Sequence, residues 1–92
     1  MITYEEMITW LNEHKARFQE NEVNGLRQIY VYSKEEYDMK NAHPKKYKNL
    51  YVPYIRLSWH PEERDDAIYT RWNGDTRYMT EDGVKSIIVN GI

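Results

Sequence analysis

The chain has 92 residues, 30% of them charged, a net charge of −2 and no cysteine. A chain of this length forms one domain with a thin core, because it buries only roughly 60–65% of the surface its unfolded form exposes. The lack of cysteine excludes disulfides, thiolate zinc sites and thiol catalysis, and leads us to expect a reducing, cytoplasmic setting. The start MITYEEMITW has glutamates where a secretory leader has basic residues. No segment approaches the roughly 20 apolar residues of a membrane span, so no membrane partner is expected.

Thr3 and Glu6 match the Ser/Thr-x-x-Glu capping box, in which hydroxyl and carboxylate satisfy the free backbone donors of a helix start. Tyr4, Met7, Ile8, Leu11, Lys15 and Phe18 then recur at helical spacing, which predicts a helix running through Phe18 with its apolar stripe on the core. Trp10 and His14 flank that stripe, as rim packing or as the edge of a pocket. ENEVNG (20–25) reads as the turn after the helix, with Gly25 as its left-handed residue. Residues 26–32, rich in β-branched and aromatic side chains, predict a strand. Ser33 and Glu36 repeat the capping-box pattern, so SKEEYDMKNA predicts a short helix that stops before Pro44.

Beyond the basic loop HPKKYK (43–48), Pro53 cannot donate to a sheet ladder, so the next strand starts near Tyr54 and runs to Trp59. HPEERDD (60–66) is a polar connection and residues 67–72 a further strand. Asn73-Gly74 is a strong hairpin signal, because both residue types tolerate the positive φ of a tight turn, and TRYM (76–79) is its returning strand. The last segment has two readings: a strand VKSIIV after an Asp82-Gly83 turn, or the preferred helix, with Thr80 as N-cap, Glu81 and Asp82 in the first turn, Val84, Ile87 and Ile88 buried, and Gly91 past the end. The expected fold is α+β over residues 1–92: an antiparallel sheet of three to four strands, with the N- and C-terminal helices packed on one face. The helix–three strands–helix order resembles double-stranded-RNA-binding domains and small ribosome-cutting toxins in topology alone. The last helix here begins with acidic TEDG rather than with basic residues.

Nine tyrosines and three tryptophans accompany a single phenylalanine, and many of these rings alternate with aliphatic residues. Side chains alternate across a sheet, so Ile29, Val31, Ile55, Leu57, Trp59, Ile68, Thr70 and Trp72 share one face. The other parity holds Tyr30, Tyr32, Tyr54, Arg56, Ser58, Tyr69 and Arg71. Either the tyrosines pack across strands on one another and on the basic loop, or they form an exposed face suited to a protein partner, to bases or to a second subunit. Charge is arranged too. Residues 1–25 and 57–92 each carry net −3, and residues 26–56 carry net +4, chiefly through Lys45, Lys46 and Lys48 with Arg27, Lys34, Lys40 and Arg56.

No catalytic constellation is legible. His14, His43 and His60 lie in three different elements, so a zinc site would need carboxylates from HPEERDD. Ser33, Ser58 and Ser86 lie in no nucleophile elbow, and the four glycines form no phosphate loop. No catalytic residue, metal or cofactor is therefore expected. The expected function is a non-enzymatic protein-binding module, an inhibitor or adaptor of the kind that phages and other mobile elements direct against host nucleic-acid-processing proteins. Its surface would comprise Tyr30, Tyr32, Tyr54, Arg56, Tyr69 and Arg71, with Lys45, Lys46 and Lys48. A single-stranded nucleic-acid binder that stacks bases on the tyrosines is the alternative, and a small hydrolase or nuclease the third. Homo-oligomerisation through the open face fits the same surface.

Overall fold

The computed structural model describes residues 2–59 and 67–92. Helix α1 (Tyr4–Glu13) is followed by strands β1 (Arg17–Val23) and β2 (Leu26–Tyr32), helix α2 (Lys34–Ala42), strands β3 (Tyr54–Trp59), β4 (Ile68–Trp72) and β5 (Asp75–Met79), and helix α3 (Glu81–Asn90). The five strands form an open antiparallel sheet in sequence order. This is α+β, as expected, but with five strands rather than three or four and with α2 between the second and third. The helix–three strands–helix order therefore does not hold. The polar connection expected at 60–66 lies outside the described residues.

The first helix forms its capping box: Thr3 Oγ1 accepts from Glu6 N at 3.1 Å, and Glu6 Oε1 accepts from Thr3 N at 3.0 Å. It ends earlier than its apolar spacing predicts. Lys15 takes φ 55°, Ala16 N donates to Leu11 O and Lys15 N to Asn12 O, which together make a Schellman closure with lysine where glycine is usual. Phe18 therefore belongs to β1, opposite Val31, rather than to the helical stripe. ENEVNG is likewise the end of a strand and a hairpin turn. Asn24 (φ 51°) and Gly25 (φ 81°) join Val23 to Leu26 as a two-residue turn of the type I′ pattern, and Asn73 (φ 53°) and Gly74 (φ 76°) do the same between β4 and β5.

The core is one cluster: Tyr4, Met7 and Leu11 of α1, Ile29, Val31, Ile55, Leu57 and Ile68 of the sheet, and Val84 of α3. Both terminal helices therefore cover the aliphatic face, as expected. Thr80 caps α3 by accepting from Gly83 N at 3.1 Å, and Gly91 follows at φ 105°. Trp10 and His14 stack on each other at 4.1 Å and Lys85 lies over the Trp10 ring, so the pair packs at the rim of the core, where Trp10 also lines the groove between α1 and α3. α2 departs from the one-sided arrangement. Tyr37 stacks on Tyr32 of the opposite face at 5.4 Å, Asp38 pairs with Arg17, and no residue of α2 is buried. Its expected capping box is altered too, because the Ser33 hydroxyl donates to the Glu36 carboxylate instead of capping a backbone amide. No helix among the described residues is long and apolar enough to cross a membrane.

Leu57 is fully buried in this core whereas Tyr30 is half-buried on the other face. Leu57→Ala is expected to cost roughly 2–5 kcal/mol, a large part of the about 5–15 kcal/mol that holds a domain together, and Tyr30→Ala much less. Thermal melts of both variants check this; equal, severe loss from Tyr30→Ala would mean two buried faces.

Tyr4 carries a second test. Burial first, and then its hydrogen bond to the Glu20 carboxylate, push its phenol from 10.0 up to about 12. A raised folded value stabilises fully below pH 10, where both states are protonated, and that contribution is lost as pH rises from 10 to about 12. In an alkaline titration followed by tyrosinate absorbance, Tyr4 should ionise late, and Tyr4→Phe should flatten the fall of stability across that window.

Candidate functional site: a tyrosine and arginine sheet face

The strand register arranges the second face in three cross-strand rows. Arg17, Tyr32 and Tyr54 form the first; Gln19, Tyr30, Arg56, Arg71 and Thr76 the second; Asn21, Gln28, Ser58, Tyr69 and Tyr78 the third. The tyrosines pack on one another. Tyr30 and Tyr54 meet at 5.4 Å with their planes at 50°, Tyr32 and Tyr54 at 6.3 Å and 60°, and Tyr69 and Tyr78 at 5.1 Å and 58°. Tilted contacts of this kind let the electropositive edge of one ring meet the electronegative face of the next. Burial, and then its phenolic neighbours Tyr37, Tyr30 and Tyr54, raise the pKa of Tyr32, whose hydroxyl donates to Gln19 Oε1 at 3.1 Å.

One end of the face is polar and closed. Asn21 Nδ2 donates to Gln28 Oε1 at 3.1 Å, and Gln28 Nε2 reaches toward Ser58 Oγ at 3.4 Å, where Gln28 and Ser58 are only 7% and 3% exposed. The other end is pinned by α2. Arg17 Nε and Nη2 grip both oxygens of Asp38 at 2.7 and 3.1 Å, and that guanidinium holds the Asp38 carboxyl below its usual range. Beside this clamp, Gln19, Tyr32, Tyr37, Lys40, Leu50 and Tyr51 line a cleft of about 490 Å³, in which Tyr51 is 70% exposed.

Between the two ends lie Arg56 and Arg71, directly opposite each other on β3 and β4. Arg56 Nε is buried and has no hydrogen-bond partner. By contrast, the other arginines of the described strands each have a carboxylate: Arg17 has Asp38, Arg27 has Glu5 and Arg77 has Asp75. Among the described strand residues the tyrosine face carries Arg17, Arg56 and Arg71 but no acidic group. Glu20, Glu22 and Asp75 all have the opposite parity. The acidic residues Glu6, Glu13 and Glu81 line the groove between α1 and α3 on the far side of the sheet.

The structure brings Tyr30, Tyr32, Tyr54, Arg56, Tyr69 and Arg71 onto one face. It places Lys45, Lys46 and Lys48, all exposed, on the loop after α2, where Lys46 lies 5.2 Å over the ring of its neighbour Tyr47. Arg17, Gln19, Asn21 and Gln28 belong to the face and were missed. The Asn24-Gly25 signal, read as a hairpin, would have placed the first three. Among the described residues no three His, Asp or Glu side chains converge to hold a metal ion, and His60 with its acidic neighbours lies outside them. Comparison with protein-family models, with curated proteins and with solved structures finds no match.

Proposed function

We propose that this domain is a non-enzymatic protein-binding module, a compact inhibitor or adaptor that occupies a host nucleic-acid-processing protein through its tyrosine and arginine face. The observation that carries this reading is the face itself: half-buried phenols packed at tilted angles on one another beside two arginines that no carboxylate among the described residues neutralises. Tyrosine and arginine are the residue types that dominate binding energy at protein interfaces, because they bury large area at low entropic cost and keep polar tips. A cytoplasmic setting and a phage or other mobile-element source belong to the same reading.

A single-stranded nucleic acid is the second reading, favoured by the absence of strand carboxylates on this face. Two features weigh against it. Rings tilted by 50–60° against one another do not lie flat as stacking platforms for successive bases. Arg17, the remaining cation of the face, is already committed to Asp38, which leaves one local pair of charges rather than a track for a phosphate chain. A second copy of the chain fits less well, because a two-fold interface on this face would set Arg56 and Arg71 against their own copies.

Labelled oligonucleotides in a fluorescence anisotropy salt series separate the readings. Binding through phosphates falls with salt at a log–log slope of roughly −0.7 per contact, and we expect no specific binding at physiological ionic strength. Tight binding there, abolished by Lys45→Glu/Lys46→Glu and also by Tyr54→Ala, would replace the protein reading with the nucleic-acid one. In quantitative pull-downs from source cells, one protein should be enriched by the wild-type chain and by Val89→Ala on the exposed side of α3, and lost with Tyr30→Ala/Tyr54→Ala.

A further inference from the structure

We infer that Arg56 and Arg71 together form a preformed receptor for a carboxylate, so that the partner presents an Asp or Glu side chain to the centre of the face. This rests on the protein-binding reading and names the chemistry of the contact.

Three features of the site point to an anion. First, the register sets two like charges directly opposite on adjacent strands, an arrangement that costs stability when nothing neutralises it. Second, Arg56 Nε is a buried donor without a partner, and buried donors are almost always satisfied because leaving one unmade forfeits its hydration. Third, Arg17, Arg27 and Arg77 each have a carboxylate within 4.0 Å, so among the described arginines the unpaired two are neighbours of each other. Arginines at directly opposed register positions offer, from one patch of the face, the forked donors that a carboxylate accepts through both oxygens. The flanking residues of the same row are Tyr30 and Thr76, and Tyr54 packs on Tyr30, so the incoming side chain would meet phenol and hydroxyl rather than a competing negative charge.

The choice of a protein carboxylate over a nucleic-acid strand follows from how local the charge is. The pair offers two positive charges at one place, and Arg17, the other strand cation of the face among the described residues, is held by Asp38. An acidic side chain on a protein surface fits so local a site; a nucleic-acid strand, with a charge on every nucleotide, needs a longer track.

The test uses the folded chain labelled with ¹⁵N, reading the Nε–Hε resonances of its arginines during titration with a blocked glutamate-containing peptide. The matched glutamine peptide, inorganic phosphate and oligo(dT) serve as comparison arms. We expect saturable shifts at Arg56 and Arg71 with the glutamate peptide, none with the glutamine peptide, and none at Arg17. Arg71→Lys retains the charge but not the fork, and should weaken the saturation on the order of tenfold, the loss of about one charge-assisted hydrogen bond. Arg71→Gln relieves the opposition of charges and should melt no lower than wild type in the absence of any anion.

The inference is overturned if the glutamate peptide produces no saturable shift at Arg56. Equal binding by Arg71→Lys, or saturation by phosphate or oligo(dT) at lower concentration than by the peptide, would also overturn it. The two readings fail separately. Loss of carboxylate binding while Tyr30→Ala/Tyr54→Ala still abolishes partner capture would remove the receptor and leave the binding face. Carboxylate binding with tyrosine variants that still capture the partner would do the reverse.

Discussion

The register between β2 and β3 is the constraint on which the rest depends. Setting Ile29 against Leu57 also sets Tyr30 against Arg56, so the same pairing that builds the core builds the surface. A slip of one residue would set Ile29 opposite Arg56, so that one of the two strands would turn its polar parity inward and its aliphatic residues toward water. Because Ile29, Val31, Ile55 and Leu57 are all almost fully buried, that slip carries a large cost, and the arrangement of the tyrosine face inherits the rigidity of the core behind it. A surface held in this way loses little conformational freedom when a partner docks.

The two layers also divide the polar work. On the helical side, Arg27 lies 3.7 Å over the Tyr4 ring and pairs with Glu5, while Lys85 pairs with Glu81 and lies over Trp10. Charge there is matched locally and serves to close the rim of the core. On the sheet side, one strand cation is matched by Asp38, and two have no carboxylate partner among the described residues. A domain this small has too little material to cover both faces of five strands, and α2 covers only the end around Arg17 and Tyr32. Among the described residues, Tyr54 and Arg56 beyond it are half-buried and Arg71 is exposed.

Much of this was legible in the residues. The parity of β2, β3 and β4 followed from alternation alone, and α3 was marked by its cap, its acidic first turn and Gly91. The failure around residues 14–25 has a specific cause. Tyr4, Met7, Ile8 and Leu11 set a helical spacing that Phe18 continues by coincidence, and the chain leaves the helix through Lys15 in a left-handed conformation that composition does not announce. Tertiary pairing with β2 then makes a strand of RFQENEV, five of whose residues are exposed. Asn24-Gly25 carries the same turn signal as Asn73-Gly74, but the helical spacing ahead of it makes it read as a helix end. The consequence for the site was the loss of a whole strand, and with it Arg17 and Asn21. The opposition of Arg56 and Arg71 is a property of register between two strands joined by a connection, which spacing along the chain does not encode.

One sheet face is a sealed core, and the other is proposed as an accessible binding face. Photochemically induced nuclear polarisation of the free protein with a flavin dye reads each tyrosine directly. Tyr30 and Tyr54 are expected to be polarised alongside the exposed Tyr51, while Tyr4, 6% exposed within the core, stays silent. Tyr30 and Tyr54 as silent as Tyr4 would show that the face is covered and would contradict the binding surface.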